Sequence, residues 1–178
     1  EEARTRPSPV PTEIGSDGAS DIVTQPAGPT DASGSTTASV ASTASGTSNI
    51  TVTVDPLGAA VVLDDVPAVT FIGDLANVST SLTSVLGGPT TDIVADGTTA
   101  SAISVTVLDV NSNPIPGATV ELQVTGSNNV ITQPLPTDSA GQTSGSVAST
   151  TAETKTVTCV IDPGGNTFNA DTQVILSF

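Results

Sequence analysis

The feature that most constrains the fold is a stretch of about 43 residues that the chain contains twice. Residues 29–71 and 136–178 align without a gap at an offset of about 107 residues, and about 17 of these positions are identical. With one gap, the match extends upstream and pairs residues 24–26 with residues 132–134. A period of about 100 residues is that of one β-sandwich domain. The repeat therefore predicts one structural unit that is used twice.

The composition argues against several classes of partner and chemistry. Three basic residues against 18 acidic ones give a formal net charge of −15 over 178 residues. Nucleic acid and anionic membranes are therefore not expected partners, because both attract clustered Lys and Arg. The chain has no His, which removes the usual general base near neutral pH and the commonest metal ligand. We expect no enzyme activity, no cofactor and no metal centre.

Other features of the composition indicate an exported protein. Only 12% of the residues are charged, so Ser, Thr, Asn, Gln and Gly must form most of the surface. No apolar run approaches the roughly 18 residues that a membrane-spanning helix needs, and no signal peptide is visible. We interpret the sequence as a secreted, mature chain that is extracellular or on the cell surface and does not insert into membranes. Its single Cys cannot form an internal disulfide, so the cores must hold by packing.

Alternating apolar residues predict β-strands in several parts of the chain. Such segments cover residues 50–54, 103–107, 120–124 and 157–161. Asp-Pro-x-Gly sequences follow the first and the last of these and predict hairpin turns, because Pro fixes φ and Gly accepts a positive φ. Residues 72–94 have a near-helical spacing of Leu and Val, but we expect an extended first strand that ends at residues 87–89. No segment has convincing helix caps, which favours an all-β sandwich.

One segment, residues 24–49, is rich in Ser, Thr, Ala and Gly. Read alone, it would pass for a disordered or O-glycosylated linker. Its twin at residues 132–156 contains an alternation of Thr143, Gly145 and Val147 on one face. The corresponding residues are Thr36, Ala38 and Val40. We therefore expect residues 24–49 to contribute a folded strand.

Three motifs in a fixed order resemble a known family. They are Ala95-Asp96-Gly97-Thr98, Asp109-Val110-Asn111-Ser112-Asn113-Pro114-Ile115-Pro116-Gly117 and Thr137-Asp138-Ser139-Ala140-Gly141. Together they resemble the group 1 bacterial immunoglobulin-like domain of intimin- and invasin-type surface proteins. The resemblance implies tandem immunoglobulin-like β-sandwiches in a bacterial surface protein. Ser112 stands where the family typically has Gly.

The repeat and the resemblance together predict the domain organisation. We expect an N-terminal extended segment with partial strands at residues 1–23, an incomplete first immunoglobulin-like domain at 24–74 and a complete second one at 75–178. The first domain has no counterpart of residues 75–113, so it should lack its first strands and expose an unpaired edge. Three explanations stay open: a fragment of a longer tandem array, strands supplied by a neighbouring subunit, or a return of residues 1–23 to the vacant place.

Few residues are candidate sites, and each has an ordinary alternative. We interpret Cys159, which replaces Val52 of the first copy, as a core residue rather than a reactive thiol. Lys155 is the only Lys and would be needed for a catalytic Ser/Lys pair. Acidic residues near the junction could bind calcium, but they lack the spacing of a calcium loop and are interpreted as turn residues. These are Asp64, Asp65, Asp74, Asp92 and Asp96.

Two short motifs could mark binding or modification. Leu108-Asp109-Val110 matches a tripeptide recognised by integrins, although three residues recur by chance. Asn49 and Asn77 begin N-glycosylation sequons, and Asn77 is the better candidate because Asn49 begins a strand. The sequence leaves attachment of a glycan open.

The sequence favours a structural function over a binding function. The leading hypothesis is a non-enzymatic building block of a cell-surface stalk or filament, with itself or other surface subunits as partners and with strand complementation between subunits as a means of assembly. The alternative is an adhesin module whose exposed loops recognise a host or cell-surface ligand. Aromatic residues make up only 2% of the chain, so anchors for such recognition are scarce.

Overall fold

Antiparallel strands account for nearly all the regular structure of the chain. The computed structural model describes residues 9–178, so the extended segment expected at residues 1–23 lies partly outside the described residues. The described part contains fourteen strands and one short 3-10 helix, which confirms the all-β prediction. The chain divides into two compact units, with the boundary between Phe71 and Ile72. No helix of the described part is long and apolar enough to cross a membrane.

Within residues 9–71, the N-terminal unit contains six strands. They are β1 (Thr12–Ser16), β2 (Asp21–Thr24), β3 (Ser39–Ser42), β4 (Gly46–Val54), β5 (Val61–Val62) and β6 (Ala68–Phe71). The central strand is β4, which pairs with β1 and also with β5 and β6. Strands β2 and β3 pair with each other in a separate two-stranded sheet.

The C-terminal unit contains eight strands after the 3-10 helix (Leu75–Asn77). They are β7 (Ser84–Gly88), β8 (Ser101–Thr106), β9 (Val120–Val124), β10 (Asn129–Thr132), β11 (Gln142–Ser149), β12 (Thr154–Ile161), β13 (Phe168–Asn169) and β14 (Val174–Ser177). One sheet has the order β10-β11-β8-β7, and in the other β12 pairs with β9, β13 and β14. Because β13 and β14 pair with different ends of β12, they share one strand position, and the second sheet has three positions in all. A four-stranded sheet facing a sheet with three strand positions is the constant-type immunoglobulin arrangement.

The hydrophobic core lies in the C-terminal unit, where inward-facing residues alternate along the strands. Ile103 and Val105 of β8 are 0% and 1% exposed, and Leu122 of β9 is 1% exposed. Val157 of β12 and Leu176 of β14, which lie in the same sheet as β9, are fully buried against β8 and its neighbours. Burying each such side chain stabilises the fold by about 1.5–3 kcal/mol relative to leaving it in water.

The segment at residues 72–94 differs from the predicted extended strand at its beginning. Asp74 caps the 3-10 helix because its Oδ1 accepts a hydrogen bond from the backbone N–H of Ala76, at 2.9 Å. Val78 and Val85 face the core, whereas Leu82 and Leu86 are 43% and 67% exposed. The Asx cap diverts the backbone into one helical turn, so the first strand is limited to β7.

A Thr-Asp-x-x-Gly turn has the same hydrogen bonds in both units. The Oδ1 atom of Asp138 accepts from the backbone N–H groups two and four residues further on, at 2.8 and 2.9 Å. The Oδ1 atom of Asp31 accepts from the same relative positions, at 2.8 and 3.0 Å. Gly141 and Gly34 have φ values of 70° and 84°, which non-Gly residues rarely adopt. The sequence repeat therefore reflects a repeat of local structure.

The Asp-Pro-x-Gly turns also correspond, but they carry the positive φ at a different residue from the one expected. Asp55 and Asp162 have φ values of 53° and 52°. Their backbone C=O groups each accept from the N–H of Gly58 or Gly165 at 3.1 Å. Their side-chain Oδ2 atoms each accept from the N–H four residues further on, also at 3.1 Å. The short acidic side chain compensates for its left-handed backbone by these local bonds.

Ser112 offers a test of backbone strain. It lies in the turn that follows β8 and has a φ of 66°, at the position where the resemblance expects Gly. A non-Gly residue in the left-handed region costs roughly 1–2 kcal/mol. Gly avoids this cost, but it loses more conformational entropy on folding, which offsets part of the gain. We expect Ser112→Gly to raise the free energy of unfolding by about 0.5 kcal/mol in urea titrations. Ser139→Gly, in a turn position without positive φ, should give no gain, and equal effects would contradict this account.

Candidate functional site

The six strands of the N-terminal unit correspond in order and pairing to the last six strands of the C-terminal unit. β1 pairs with β4 as β9 pairs with β12, and β2 pairs with β3 as β10 pairs with β11. The short strands β5 and β6 flank β4 as β13 and β14 flank β12. Strands β7 and β8 have no counterpart among the strands described for residues 9–71.

The vacant place lies beside β3. In the C-terminal unit, residues 142–147 of β11 pair with β8, whereas residues 146–149 pair with β10 on the other side. At the repeat offset, the stretch that pairs with β8 corresponds to residues 35–40 of the N-terminal unit. We call residues 35–40 the open edge, because no described strand pairs with this side of β3.

The open edge explains why the strand predicted within residues 24–49 is shorter than expected. Strand β3 begins at Ser39, where pairing with β2 begins, and residues 35–38 are not in a strand. Thr36 and Ala38, which were expected to alternate in that strand, therefore lie before it. Without a β8-like partner, their backbone groups have no ladder to join, so tertiary pairing rather than local propensity decides the boundary.

The inner face of the N-terminal unit is also incompletely covered. In the C-terminal unit the inward-facing residues of three strands, Leu122, Val147 and Cys159, are 1%, 0% and 0% exposed. Their counterparts Ile14, Val40 and Val52 are only half-buried. Ile50, at 8% exposed, is the one large apolar residue that is buried within residues 9–71. The open edge and this half-buried face together form the candidate site.

A different edge is closed by a glutamine in both units. The side-chain amide of Gln133 accepts from the N–H of Leu122 at 2.7 Å and donates to its C=O at 3.0 Å. Gln25 makes the same two bonds to Ile14, at 2.8 and 2.6 Å. Each amide occupies backbone groups that an added strand would need on β1 or β9. The edge of β1 is therefore blocked where the edge of β3 is open.

The C-terminal unit buries one charged side chain beside a partly exposed counter-charge. Lys155 on β12 is 0% exposed, and its Nζ donates to Glu153 Oε1 at 2.6 Å and to the C=O of Ser127 at 2.8 Å. The hydrogen bond from Lys155 holds the pKa of Glu153 below its ordinary value, and the N–H of Ser127 adds to this effect. The sequence indicated Lys155 only as a member of a catalytic Ser/Lys pair. In the structure its ammonium group instead forms an ion pair with Glu153.

Cys159 lies on β12, opposite Leu122 of β9, and faces the core. It is fully buried, and burial raises the pKa of its thiol to about 11. We expect no reaction of the folded chain with a thiol reagent at pH 8, because the thiolate is the reactive form. Reaction should be complete in denaturant.

The internal repeat supplies a matched control for the thiol. In a Cys159→Val chain that carries Val52→Cys, the new thiol occupies the half-buried counterpart position and should react faster than Cys159. Equal labelling rates would contradict the difference in burial between the two units.

The Leu108-Asp109-Val110 tripeptide does not present its carboxylate to solvent. Asp109 is 2% exposed. Its Oδ1 atom accepts from the N–H groups of Asn111 and Asn113, at 2.8 and 2.9 Å. Its Oδ2 atom accepts from the Asn113 side chain and from the N–H of Asp74, at 3.0 and 3.2 Å. The carboxylate organises the turn rather than a ligand site.

The remaining candidate residues lie in local turns. Asp96 accepts from the N–H groups of Thr98 and Thr99, at 2.7 and 2.6 Å, and these hydrogen bonds lower its pKa. Asp74 caps the 3-10 helix. Asp64, Asp65 and Asp92 are exposed. Within residues 9–178 no three His, Cys, Asp or Glu side chains are grouped so that they could hold a metal ion.

Both sequon asparagines are exposed and hydrogen-bonded. Asn49 donates its Nδ2 to Asp17 at 2.8 Å, and Asn77 donates its Nδ2 to Asp74 at 2.7 Å. The nitrogen that a glycan would join is thus held by a carboxylate at each position. Modification of either residue stays a prediction.

Comparison with known proteins supports this fold. The chain resembles invasin, described as a bacterial integrin-binding protein, with a TM-score of 0.55, 22% identity and coverage of 94% of this chain and 31% of that one. It also resembles InvD of Yersinia pseudotuberculosis, with a TM-score of 0.70, 17% identity and coverage of 96% and 47%. FdeC, an adhesin of Escherichia coli, gives a TM-score of 0.66, 14% identity and coverage of 96% and 52%.

These likenesses show the fold, and the chain spans about a third to a half of the length of the three structures. No curated protein sequence matches the chain. The model of the group 1 bacterial Ig-like domain matches residues 83–175, which is more than half of the chain. The motif resemblance is therefore confirmed, and the chain belongs to the family of group 1 bacterial immunoglobulin-like domains.

Proposed function

We propose that the chain is a non-enzymatic structural part of a stalk or filament on the outside of a bacterial cell. The observation that carries this proposal is the use of one antiparallel β unit twice in a single chain, with the same strand pairing and the same turn bonds. Repetition of a unit extends a protein without requiring a new active site. The fold shared with FdeC, an adhesin of Escherichia coli, and the family match support a surface location.

In this proposal, the strand ladders carry the mechanical load, and subunits are joined by addition of strands between neighbouring chains. Addition of a strand to an exposed sheet edge uses main-chain hydrogen bonds for affinity and alternate side chains for specificity. The open edge supports this mode, because it offers an unpaired strand above a half-buried apolar face.

An adhesin module that binds a ligand through its loops is the weaker candidate. Binding hot spots are enriched in Trp, Tyr and Arg. The sequence has no Trp or Tyr and only three Phe. Phe71, Phe168 and Phe178 are each half-buried. The integrin-type tripeptide, in turn, holds its carboxylate inside a turn.

Immunogold electron microscopy of the source cells tests the proposal. With an antibody against the chain, we expect gold on intact, unpermeabilised cells, while an antibody against a cytosolic protein gives none. Gold that appears only after permeabilisation would contradict the proposal. Negative-stain images of the purified chain discriminate the two candidates: fibres support the structural function, whereas dispersed monomers that bind a ligand saturably support the adhesin module.

A further inference from the structure

We propose that the open edge binds one antiparallel β-strand of the same type as β8, in the same register that β8 has on β11. The strand has Ile or Val at alternate positions and small polar residues between them, as β8 has in Ser101–Thr106. Its binding completes the sandwich of the N-terminal unit. This inference rests on the proposed structural function and specifies the chemistry and position of its contact.

The internal repeat fixes the register of the bound strand. In the C-terminal unit Ile103 lies opposite Gly145 and Val105 lies opposite Thr143. At the repeat offset, Gly145 corresponds to Ala38 and Thr143 to Thr36. The incoming Ile should therefore lie opposite Ala38 and the incoming Val opposite Thr36. Binding extends β3 from Ser39 back over residues 35–38.

The side chains of the N-terminal unit match the apolar face of such a strand. Val40 and Val52 are half-buried, whereas Val147 and Cys159 at the corresponding positions are fully covered in the presence of β8. Ala38 is exposed and small, so an apolar side chain can lie against it without displacing its neighbours. A β8-type strand would thus cover a surface that the described part of the chain leaves half open.

The other sheet edges of the N-terminal unit do not compete for this strand. The edge of β1 is occupied by the amide of Gln25. The outer edge of β2 corresponds to that of β10, which has no described strand partner in the C-terminal unit either. The outer edge of β14 bonds through Ser177 to Thr90 and Ile93, which precede β8, so the matching edge of β6 would take a different segment. Only the edge of β3 corresponds to one that pairs with β8, over residues 142–147. This correspondence points to a single docking position for a β8-type strand.

Hydrogen exchange of the full chain with a synthetic probe tests the inference. The probe is the peptide of residues 99–108 of this chain, and its control has Ile103→Asp, both with the same short lysine tail. We expect saturable binding of the probe and a slowing of amide exchange by about tenfold or more within residues 36–40; the N–H of Ser35 already donates to Asp31 in the free chain. The control peptide should give neither effect, because a carboxylate would face the apolar side.

Matched variants of the full chain locate the contact. Ala38→Asp changes an exposed residue that would face the bound strand, so the fold should persist while affinity falls by about tenfold or more. Thr37→Asp adds the same charge to the opposite side of the backbone and should retain binding. Circular dichroism confirms that both variants fold. Equal loss of affinity in the two variants would overturn the inference.

Self-association is a further outcome with a definite meaning. A concentration-dependent dimer that protects residues 35–40 without the probe supports the inference, with a second copy as the source of the strand. A dimer that protects other residues, or the absence of protection at saturating probe, overturns it. Because immunogold labelling tests surface location separately, failure of the edge to bind a strand leaves that result unaffected.

Discussion

Lys155→Ala is expected to lower the free energy of unfolding of the C-terminal unit by about 3 kcal/mol. The substitution removes three buried methylene groups, each worth about 0.8 kcal/mol, and leaves a cavity at a fully buried position. Lys155→Met keeps most of the volume and should change stability by less than about 1 kcal/mol, because a well-packed apolar side chain commonly replaces a buried charged one without loss. Urea titration followed by circular dichroism measures both values.

The partner of Lys155 provides a control on charge. Glu153→Gln keeps the shape of the side chain but leaves the buried ammonium group without its counter-charge, so it should lower the melting temperature. In the double variant with Lys155→Met, this loss should disappear. If Lys155→Ala and Lys155→Met were equally destabilising, the packing of the stem would not be the dominant contribution.

Asp109→Asn is expected to lower the free energy of unfolding by about 3 kcal/mol at pH 7. The Asn Oδ1 can still accept from the backbone, but its Nδ2 would face the donors of Asn113 and Asp74. Hydrogen bonds to charged groups contribute about 1.5–3 kcal/mol each, and leaving buried donors without an acceptor adds a penalty. Asp138→Asn, in an exposed turn with two such bonds, should cost less.

The contribution of Asp109 to the free energy of unfolding should depend on pH. Burial alone would raise the pKa of Asp109, but hydrogen bonds from Asn113, Asp74 and Asn111 outweigh it and set the pKa below the ordinary value of 3.8. A carboxyl group whose pKa is lower in the folded state than in the unfolded chain stabilises the fold at pH values above its pKa in the unfolded chain. This stabilisation is lost as the pH falls through its pKa in the folded state.

A pH series distinguishes this electrostatic account from a purely steric one. The difference in stability between the wild type and Asp109→Asn should be constant from about pH 7 to pH 5 and should shrink below about pH 3.8. Thermal melts at each pH measure it. A difference that stays constant down to pH 2 would show that shape, not charge, determines the effect.

The alternation of apolar residues was sufficient to predict β8, β9 and β12 of the C-terminal unit. In β8 every second side chain is buried, and in β9 Val120 and Leu122 are, so the period of two in the sequence directly reflects packing of one face of each strand. In β1 the corresponding places hold Thr12, Ile14 and Ser16, and only the repeat indicated a strand there. The match of the family model to residues 83–175 confirms the motif reading of that region.

Other features depended on contacts that no local pattern records. Burial of Lys155 depends on a hydrogen bond to the C=O of Ser127, which is distant in sequence. The only local sequence feature that could have indicated this burial is Glu153, two residues before the lone Lys of an apolar strand. The start of β3 at Ser39 depends on which neighbours pair with it. The sequence predicted a positive φ at the Gly of the Asp-Pro-x-Gly turn, whereas the structure has it at Asp55. A turn that contains Gly can adopt several backbone conformations, and side-chain hydrogen bonds select one of them.

Hydrogen exchange of the free chain at low concentration tests the central claim most directly, because it compares the two units within one molecule. If the N-terminal unit is the same sandwich with the place of β8 open, amides of β4 should be protected, and residues 36–38 should exchange much faster than residues 143–145. Exchange of residues 36–38 as slow as that of their counterparts would contradict the account, and so would exchange of residues 12–54 at the rate of an unstructured chain.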